Sequence, residues 1–496
     1  MNIGTLPARH GRYRADHPAL VTAGSRATFR NFDRRTARLA AALEAAGIVK
    51  GGVIATALPN GAAIYEVFWA SARLGAATVP LSPPLRADAV ATLAADAGAT
   101  LLVTDAAEVE ALAAGVPIDA APSIPIIKPG DAFNIMYRSG TTGIPAGIVL
   151  SYGVRAAYCT LFASQWRMTP ESVVLHAGSH VFNGAFLTMM PAMLLGATFV
   201  LLEQCDAERV LQTIERERVT HAMMVPSQLV ALQPGRLYEI YGLTEGFVTV
   251  LDSREFAARR DSVGVPPPFS ELRILDQDGA EVEPGVVSEI AGRGPLLMSG
   301  YHGRPDLTAE AIVDGWLRTG DLGFVDPDGF LHLVDRQKDL IVSGGVNVYP
   351  RDIEDVIVMH ADVLEAAVFG VPHDKWGESP LAAVRLRAGA AVTAEELTRW
   401  INERVAARYQ RVSGVVCLDE FPRSTAGKTL KRVLREPYWT ARGAAIGPPC
   451  QPFTSTTSTF TTRAMAPDSR WSWCTASARA RETGNRRSKG SPRVSG

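Results

Sequence analysis

"GVIATALPNGAAIYEVFWASARLGAATVPLSPPLRADAVATLAADAGATLLVTD", Gly52 to Asp105, is the stretch from which the fold follows. Within it "GVIATAL", "ATVPL" and "TLLVTD" read as short apolar strands. Between them lie two helical patterns, Gly61–Leu74 ended by Gly75 and Arg86–Asp96 ended by Gly98. Strands that alternate with helices predict a parallel sheet with helices on its faces. A second set of the same kind runs from about Tyr152 to "THAMMVP", with the helix "DAERVLQTIERER" between apolar strands. From about Ser270 to Val334 the pattern changes to short strands and turns such as "PDGF". Beyond Lys338 the helical segments "PRDIEDVIVMH" and "TAEELTRWINERVAARY" accompany the strands "LEAAVFGVP" and "LAAVRLRAG". The expected class is α/β: a large N-terminal region of two α/β subdomains plus a β-rich one, followed by a small α+β C-terminal domain. The boundaries read as 1–337, 338–440 and a tail, 441–496.

Composition bounds the function. With 496 residues, 47% hydrophobic and 20% charged, the chain has the make-up of a globular protein. The tail carries nine Lys or Arg against two Asp or Glu, which leaves the rest acidic, with 41 against 49. An acidic body argues against a nucleic-acid groove. The tail holds only Ile446 and Val494 as branched aliphatics, so it is expected to be disordered and basic. Five scattered cysteines without C-x-x-C spacing suggest neither a disulfide framework nor a zinc site. No secretory pattern follows the N-terminal charges, and a cytoplasmic setting is expected. "GAFLTMMPAMLLGATFVLL", Gly184–Leu202, is long enough to span a bilayer. Pro191 and Gly196 interrupt it, so it reads as a helix followed by a buried strand, and no integral membrane segment is expected.

The chemistry is suggested by five segments. "MYRSGTTGIPAGIVLS", Met136–Ser151, is a Gly/Thr/Ser loop suited to an anion: Gly140, Gly143 and Gly147 allow close backbone approach, and Ser139, Thr141 and Thr142 add hydroxyls. It lacks the lysine of a Walker loop. "YGLTEG" (Tyr241–Gly246) places a phenol, a hydroxyl and a carboxylate where open α/β sheets bind ligands. "GWLRTGDLGFVDPDGF", "LVDRQKDLIVSGGVNVYPRDIE" and "PRSTAGKTLKR" complete the set. Taken singly, Asp321 in "TGDLG" reads as a turn former and Lys428 in "TAGKT" as a solvated lysine.

In this order and spacing, from about Phe29 to Trp439, the segments resemble the adenylate-forming superfamily of acyl-CoA synthetases, firefly luciferase and peptide-synthetase adenylation domains. The resemblance implies an AMP-forming acid–thiol ligase that uses ATP, Mg²⁺ and coenzyme A, with a small carboxylic acid and CoA as its partners. A homodimer is left open. By resemblance Ser139, Gly140, Thr141, Thr142 and Gly143 hold the β- and γ-phosphates. Tyr241 and Gly242 lie against adenine, Thr244 bonds the α-phosphate, and Glu245 holds Mg²⁺. Asp321 binds the ribose hydroxyls, Arg336 reaches the ribose–phosphate side, and Lys338 is the hinge. Lys428 places an ammonium between the acid and the α-phosphate. Ser343, Gly344 and Gly345 border the CoA tunnel after the C-terminal domain turns. His180, Phe182 and Asn183 fall near the acyl pocket, where a core histidine is the competing reading, and the apolar "FNGAFLTMM" suggests a fatty or aryl acid.

Three departures stand against this pattern. Arg138 and Ala146 replace the family's Thr and Lys in the phosphate loop. Relatives carry a further βα unit where this chain has only the short "QPGRLYEI" between Leu232 and Tyr241. The tail is the third. Together they frame the alternative of an impaired or non-catalytic remnant.

Overall fold

The computed structural model describes residues 2–138, 146–204, 206–224, 237–423, 429–440 and 472–476; for Arg138 and 472–476 it describes the backbone. Two compact units are formed, one built mainly on Met1–Lys338 and the other mainly on Asp339–Pro422.

The alternation read from Gly52 onward is present. Strands Val53–Thr56, Ala77–Pro80 and Leu101–Val103 run parallel, and Ala132–Arg138 continues the parallel set beside Ala77–Pro80. Helix Ala62–Leu74 stops at Gly75, whose φ of +74° is the left-handed cap that glycine adopts without strain. Ala146–Ser151 and Gly300–Tyr301 close this six-stranded sheet in antiparallel fashion. Most of helix Ala62–Leu74 is buried, including Glu66 and Arg73. Both are paired, Glu66 with Arg35 at 2.6 Å and Arg73 with Asp33, because a charge is buried cheaply only beside its counter-charge.

A second sheet of eight strands contains the parallel run Pro18–Val21, Thr198–Leu201, Val173–His176 and His221–Met224. Thr198–Leu201 and His221–Met224 are buried throughout, which is why their sequences are unbroken by charge. Helix Phe186–Leu195 precedes Thr198–Leu201, so the apolar Gly184–Leu202 segment is a core helix and strand. Among the described residues no helix is long and apolar enough to cross a membrane. Helix Ala207–Glu217 starts at Asp206, whose carboxylate accepts from the Arg209 N–H at 2.8 Å. At the far edge, Leu237–Gly242 pairs antiparallel with Val248–Leu251.

The β-rich part is a five-stranded antiparallel sheet holding Glu271–Leu275, Ser288–Arg293, Trp316–Val325 and Leu331–Arg336. In the second unit, Val363–His373 pairs with Gly377–Leu386, and helices Pro350–Ile357 and Ala394–Asn402 bury Ile353, Ile357, Leu397 and Ile401. The latter helix is shorter than its sequence pattern predicts, but it opens with a capping box between Thr393 and Glu396.

One strand departs from the sequence reading. The composition of 441–496 predicts no ordered element, yet Ser472–Ala476 is a strand within the eight-stranded sheet, between His221–Met224 and Leu237–Gly242. The physical reason is the pairing available there: facing strand edges present rows of N–H and C=O groups that five residues of the tail can satisfy without any hydrophobic core of their own. The βα unit expected to be missing near 232–236 lies outside the described residues.

Candidate active site

Tyr241 is the penultimate residue of the Leu237–Gly242 strand and is buried, and its hydroxyl donates to Asp321 Oδ2 at 2.8 Å. Asp321 lies on Trp316–Val325 directly opposite Arg336 of Leu331–Arg336, and Arg336 Nε sits 3.1 Å from Asp321 Oδ1. Three residues from three sequence segments therefore meet on one carboxylate. The local turn fixes Asp321: its N–H donates to Thr319 Oγ1 at 3.1 Å, the Thr319 hydroxyl donates to the Ile290 carbonyl at 2.7 Å, and the Gly320 N–H donates to Glu289 Oε1 at 3.0 Å. Burial first, and then the Asp321 carboxylate, push the Tyr241 phenol well above its ordinary pKa. It remains a neutral donor at neutral pH.

Past Tyr241 the chain turns through Leu243–Phe247. The Leu243 N–H donates to the Phe247 carbonyl at 2.9 Å, and the Gly246 N–H donates to the Leu243 carbonyl at 3.0 Å. Gly246 has φ +108°, and a Cβ there would stand 1.8 Å from the Leu296 carbonyl oxygen, so only glycine fits. At Gly242 a Cβ would meet the Phe247 carbonyl oxygen at 2.6 Å. Thr244 is half-buried on this turn. Glu245 is 4% exposed, and its Oε1 accepts from the Tyr301 hydroxyl at 2.9 Å. Tyr301 pairs with Ile148 on the strand that leaves the phosphate loop, so one hydrogen bond ties the Glu245 turn to that strand. Sequence reasoning missed Tyr301; the signal available was an aromatic hydroxyl beside a glycine in "MSGYHG".

Ser139–Gly143, expected to hold phosphates, and Lys428 lie outside the described residues. Two expectations at the loop's exit change. Gly147 is not an anion-contacting loop glycine: it pairs with Tyr137 inside a hairpin, where a Cβ would meet Ile135 Cγ2 at 2.8 Å. Ala146 opens the Ala146–Ser151 strand opposite Arg138 and is 4% exposed, within the core rather than on a loop surface.

Lys338 is the last residue of the first unit's main span, in the short turn Gln337–Asp339. In the second unit, Ser343 ends Ile341–Ser343, and Gly344 and Gly345 form the two-residue link to Val346–Val348 with φ of +60° and +82°. Positive φ at both positions is the geometry that a tight hairpin with matching twist requires. A Cβ on Gly344 would also strike the Trp376 ring at 2.8 Å.

His180 is fully buried. Its ring meets Tyr65 and Phe199 edge-on, its Nε2 lies 3.3 Å from Met189 Sδ, and its Nδ1 has no partner among the described residues. Burial holds its pKa well below the ordinary value, and holds that of neighbouring His176 down at about 4, so both rings are neutral. This is the packing of a core histidine. Phe182 and Asn183 are half-buried. Asn183 Oδ1 accepts from Arg155 Nη1 at 2.9 Å and its Nδ2 donates to the Tyr158 hydroxyl at 2.9 Å. Arg155, unmentioned by any motif, is fully buried, bonds Asn134 Oδ1 at 2.9 Å, and lies 3.9 Å over the Phe186 ring. No carboxylate pairs with it among the described residues, and burial lowers its pKa to about 10.

The chemistry of these residues can be tested against the groups that the sequence resemblance implies. Asp321 offers two carboxylate oxygens from within the Trp316–Val325 strand, suited to a diol. Glu245 offers one hard oxygen ligand, and Mg²⁺ is often held by one or two carboxylates together with substrate phosphates. Among the described residues no group of three or more His, Cys, Asp or Glu converges into an all-protein metal cage.

The fold and this site define the adenylate-forming class of enzymes. The solved o-succinylbenzoate CoA synthetase from Bacillus subtilis, in complex with the acyl-adenylate OSB-AMP, matches with a TM-score of 0.79 at 28% identity, covering 87% of this chain and 97% of that one. An amide bond synthetase from Marinactinospora thermotolerans matches with a TM-score of 0.77 at 28% identity, over 88% and 100%. The chain belongs to the AMP-binding enzyme family: that family's model matches residues 7–235 and 227–302, and the model of its C-terminal domain matches 352–428. Feruloyl-CoA synthase of an Amycolatopsis species is 34% identical over 88% of this chain and 99% of its own length. The 2-succinylbenzoate–CoA ligase of Bacillus cereus is 30% identical over 85% and 95%.

Proposed function

We propose that the protein activates a fatty or aryl carboxylic acid as its acyl-adenylate and transfers the acyl group to coenzyme A. The observation that carries this reading is the convergence of Tyr241 and Arg336 on Asp321, beside the carboxyl end of the Leu237–Gly242 strand. A carboxylate is a poor acyl donor because its leaving group would be an oxide. In the first half-reaction an oxygen of the acid attacks the α-phosphorus of ATP and pyrophosphate leaves. In the second, the CoA sulfur attacks the activated carbonyl, its proton departs to solvent, and AMP leaves.

The protein's part is positioning and charge. Asp321 accepts the ribose hydroxyls, Tyr241 packs on the adenine, and Arg336 lies on the ribose–phosphate side. Thr244 donates to the α-phosphate. Mg²⁺ on Glu245 neutralises phosphate charge when bound. Ser139–Gly143 hold the β- and γ-phosphates through backbone N–H groups. Lys428, the last residue matched to the C-terminal domain model, brings its ammonium to the charge that accumulates between acid and α-phosphate. Lys338 serves as the hinge, which agrees with the division of the chain into units falling between Lys338 and Asp339. Ser343–Gly345 border the thiol's entry. A cytoplasmic setting suits five cysteines without disulfide spacing. The remnant alternative finds no support, since both family domains are present and the Asp321 and Glu245 contacts are made.

An acyl site formed by the apolar "FNGAFLTMM" segment, as this reading requires, gives an expected result. Each buried methylene contributes about 0.8 kcal/mol, so an acid with four more methylenes than acetate should gain about two decades in kcat/KM, at about 1.4 kcal/mol per decade. Thioester formation across a panel of fatty, aryl and short acids checks this. Equal rates with acetate and octanoate would contradict the apolar assignment.

A further inference from the structure

Strands His221–Met224 and Leu237–Gly242 follow one another among the described strands, yet they do not pair. Ser472–Ala476 lies between them and runs parallel to both. On one side Ser472, Trp473, Cys474 and Thr475 are in register with His221, Ala222, Met223 and Met224. On the other, Trp473, Cys474, Thr475 and Ala476 are in register with Leu237, Tyr238, Glu239 and Ile240. Neighbouring strands stand about 4.8 Å apart, so the flanking edges are separated by about 10 Å. That slot takes one strand. Its flanks are almost wholly buried, with His221–Met224 buried throughout and Tyr238, Glu239 and Ile240 buried opposite. With Ser472–Ala476 in place, the facing N–H and C=O groups of both flanks find partners, as buried backbone groups require.

We propose that this slot is a strand-acceptor site and that its occupant is the chain's own tail segment Ser472–Ala476, which holds the Tyr241-bearing strand in place. The sequence of the segment suits the slot. "WSWCTASA" is uncharged between Arg470 and Arg479, and it contains aromatic and β-branched residues, the types that favour strands. Reach is ample: the 31 residues between Thr440 and Ser472 can extend to about 100 Å. The inference is independent of the acid and thiol that the enzyme uses, since it concerns only the sheet that carries Tyr241.

The test uses the full chain. Hydrogen exchange should show the amides of Trp473–Ala476 protected by roughly a hundredfold or more, the behaviour of a ladder that opens only with the sheet. Cys474→Pro, which removes one ladder donor, should lower the melting temperature by several degrees, whereas Thr461→Pro, outside the strand, should leave it unchanged. A chain lacking 441–496 should melt lower still and recover when a synthetic peptide of residues 470–479 is added. If that shortened chain does not fold, exchange and the proline pair decide. Unprotected amides at 473–476, or identical melting of the two proline variants, would overturn the proposal. So would a melting temperature that rises with protein concentration, which would mean the strand comes from a second copy.

Discussion

Lys428→Ala is expected to lower acyl-adenylate formation by two to three orders of magnitude while sparing thioester formation from supplied acyl-adenylate. In the proposed reading the ammonium is needed only while negative charge builds between the entering carboxylate and the α-phosphate. A preorganised donor aimed at developing charge contributes about 3–4 kcal/mol. No such charge remains when the thiol attacks the finished adenylate, so the two half-reactions should separate. Pyrophosphate exchange reports the first and thioester appearance reports the second. Loss of both in equal measure would show that Lys428 acts through the fold rather than on the reacting atoms.

Asp321→Ala should raise the KM for ATP and lower kcat/KM about a hundredfold. The carboxylate is the shared acceptor for Tyr241 and Arg336 and, in the proposed reading, for the ribose hydroxyls. Hydrogen bonds to a charged group contribute about 1.5–3 kcal/mol each, and about 3 kcal/mol corresponds to roughly two decades. Asp321→Asn keeps an acceptor for the Tyr241 hydroxyl and should fall between the two. The KM for the acid should move little in either variant, since neither touches the acyl side. An unchanged KM for ATP in folded Asp321→Ala would remove Asp321 from the nucleotide site.

Much of this was legible in the sequence because the signals were local. Gly75 ends its helix, Asp206 and Thr393 begin theirs, and unbroken apolar runs such as "THAMM" become strands buried on both faces. Asp321 and Tyr241 could be singled out by motif, but their contact depends on pairing between strands far apart in the chain, which no local pattern encodes. Tyr301 and Arg155 escaped for the same reason: a tyrosine after Gly300 and an arginine inside a helix look ordinary until Glu245 and Asn183 are brought to them. Gly147 shows the converse error. A glycine beside an anion loop invites a ligand-contact reading, whereas here it makes room for the side chains of Ile135 and Tyr137. The tail strand was invisible because composition measures whether a segment can build a core, and Ser472–Ala476 instead joins one already built.

The central claim, attack of a carboxylate on the α-phosphorus of ATP, is tested most directly by identifying the nucleotide product when the purified chain is given ATP, an apolar carboxylic acid and CoA. AMP and pyrophosphate, each equal in amount to the thioester formed, are the predicted outcome. ADP and inorganic phosphate in that stoichiometry would contradict it.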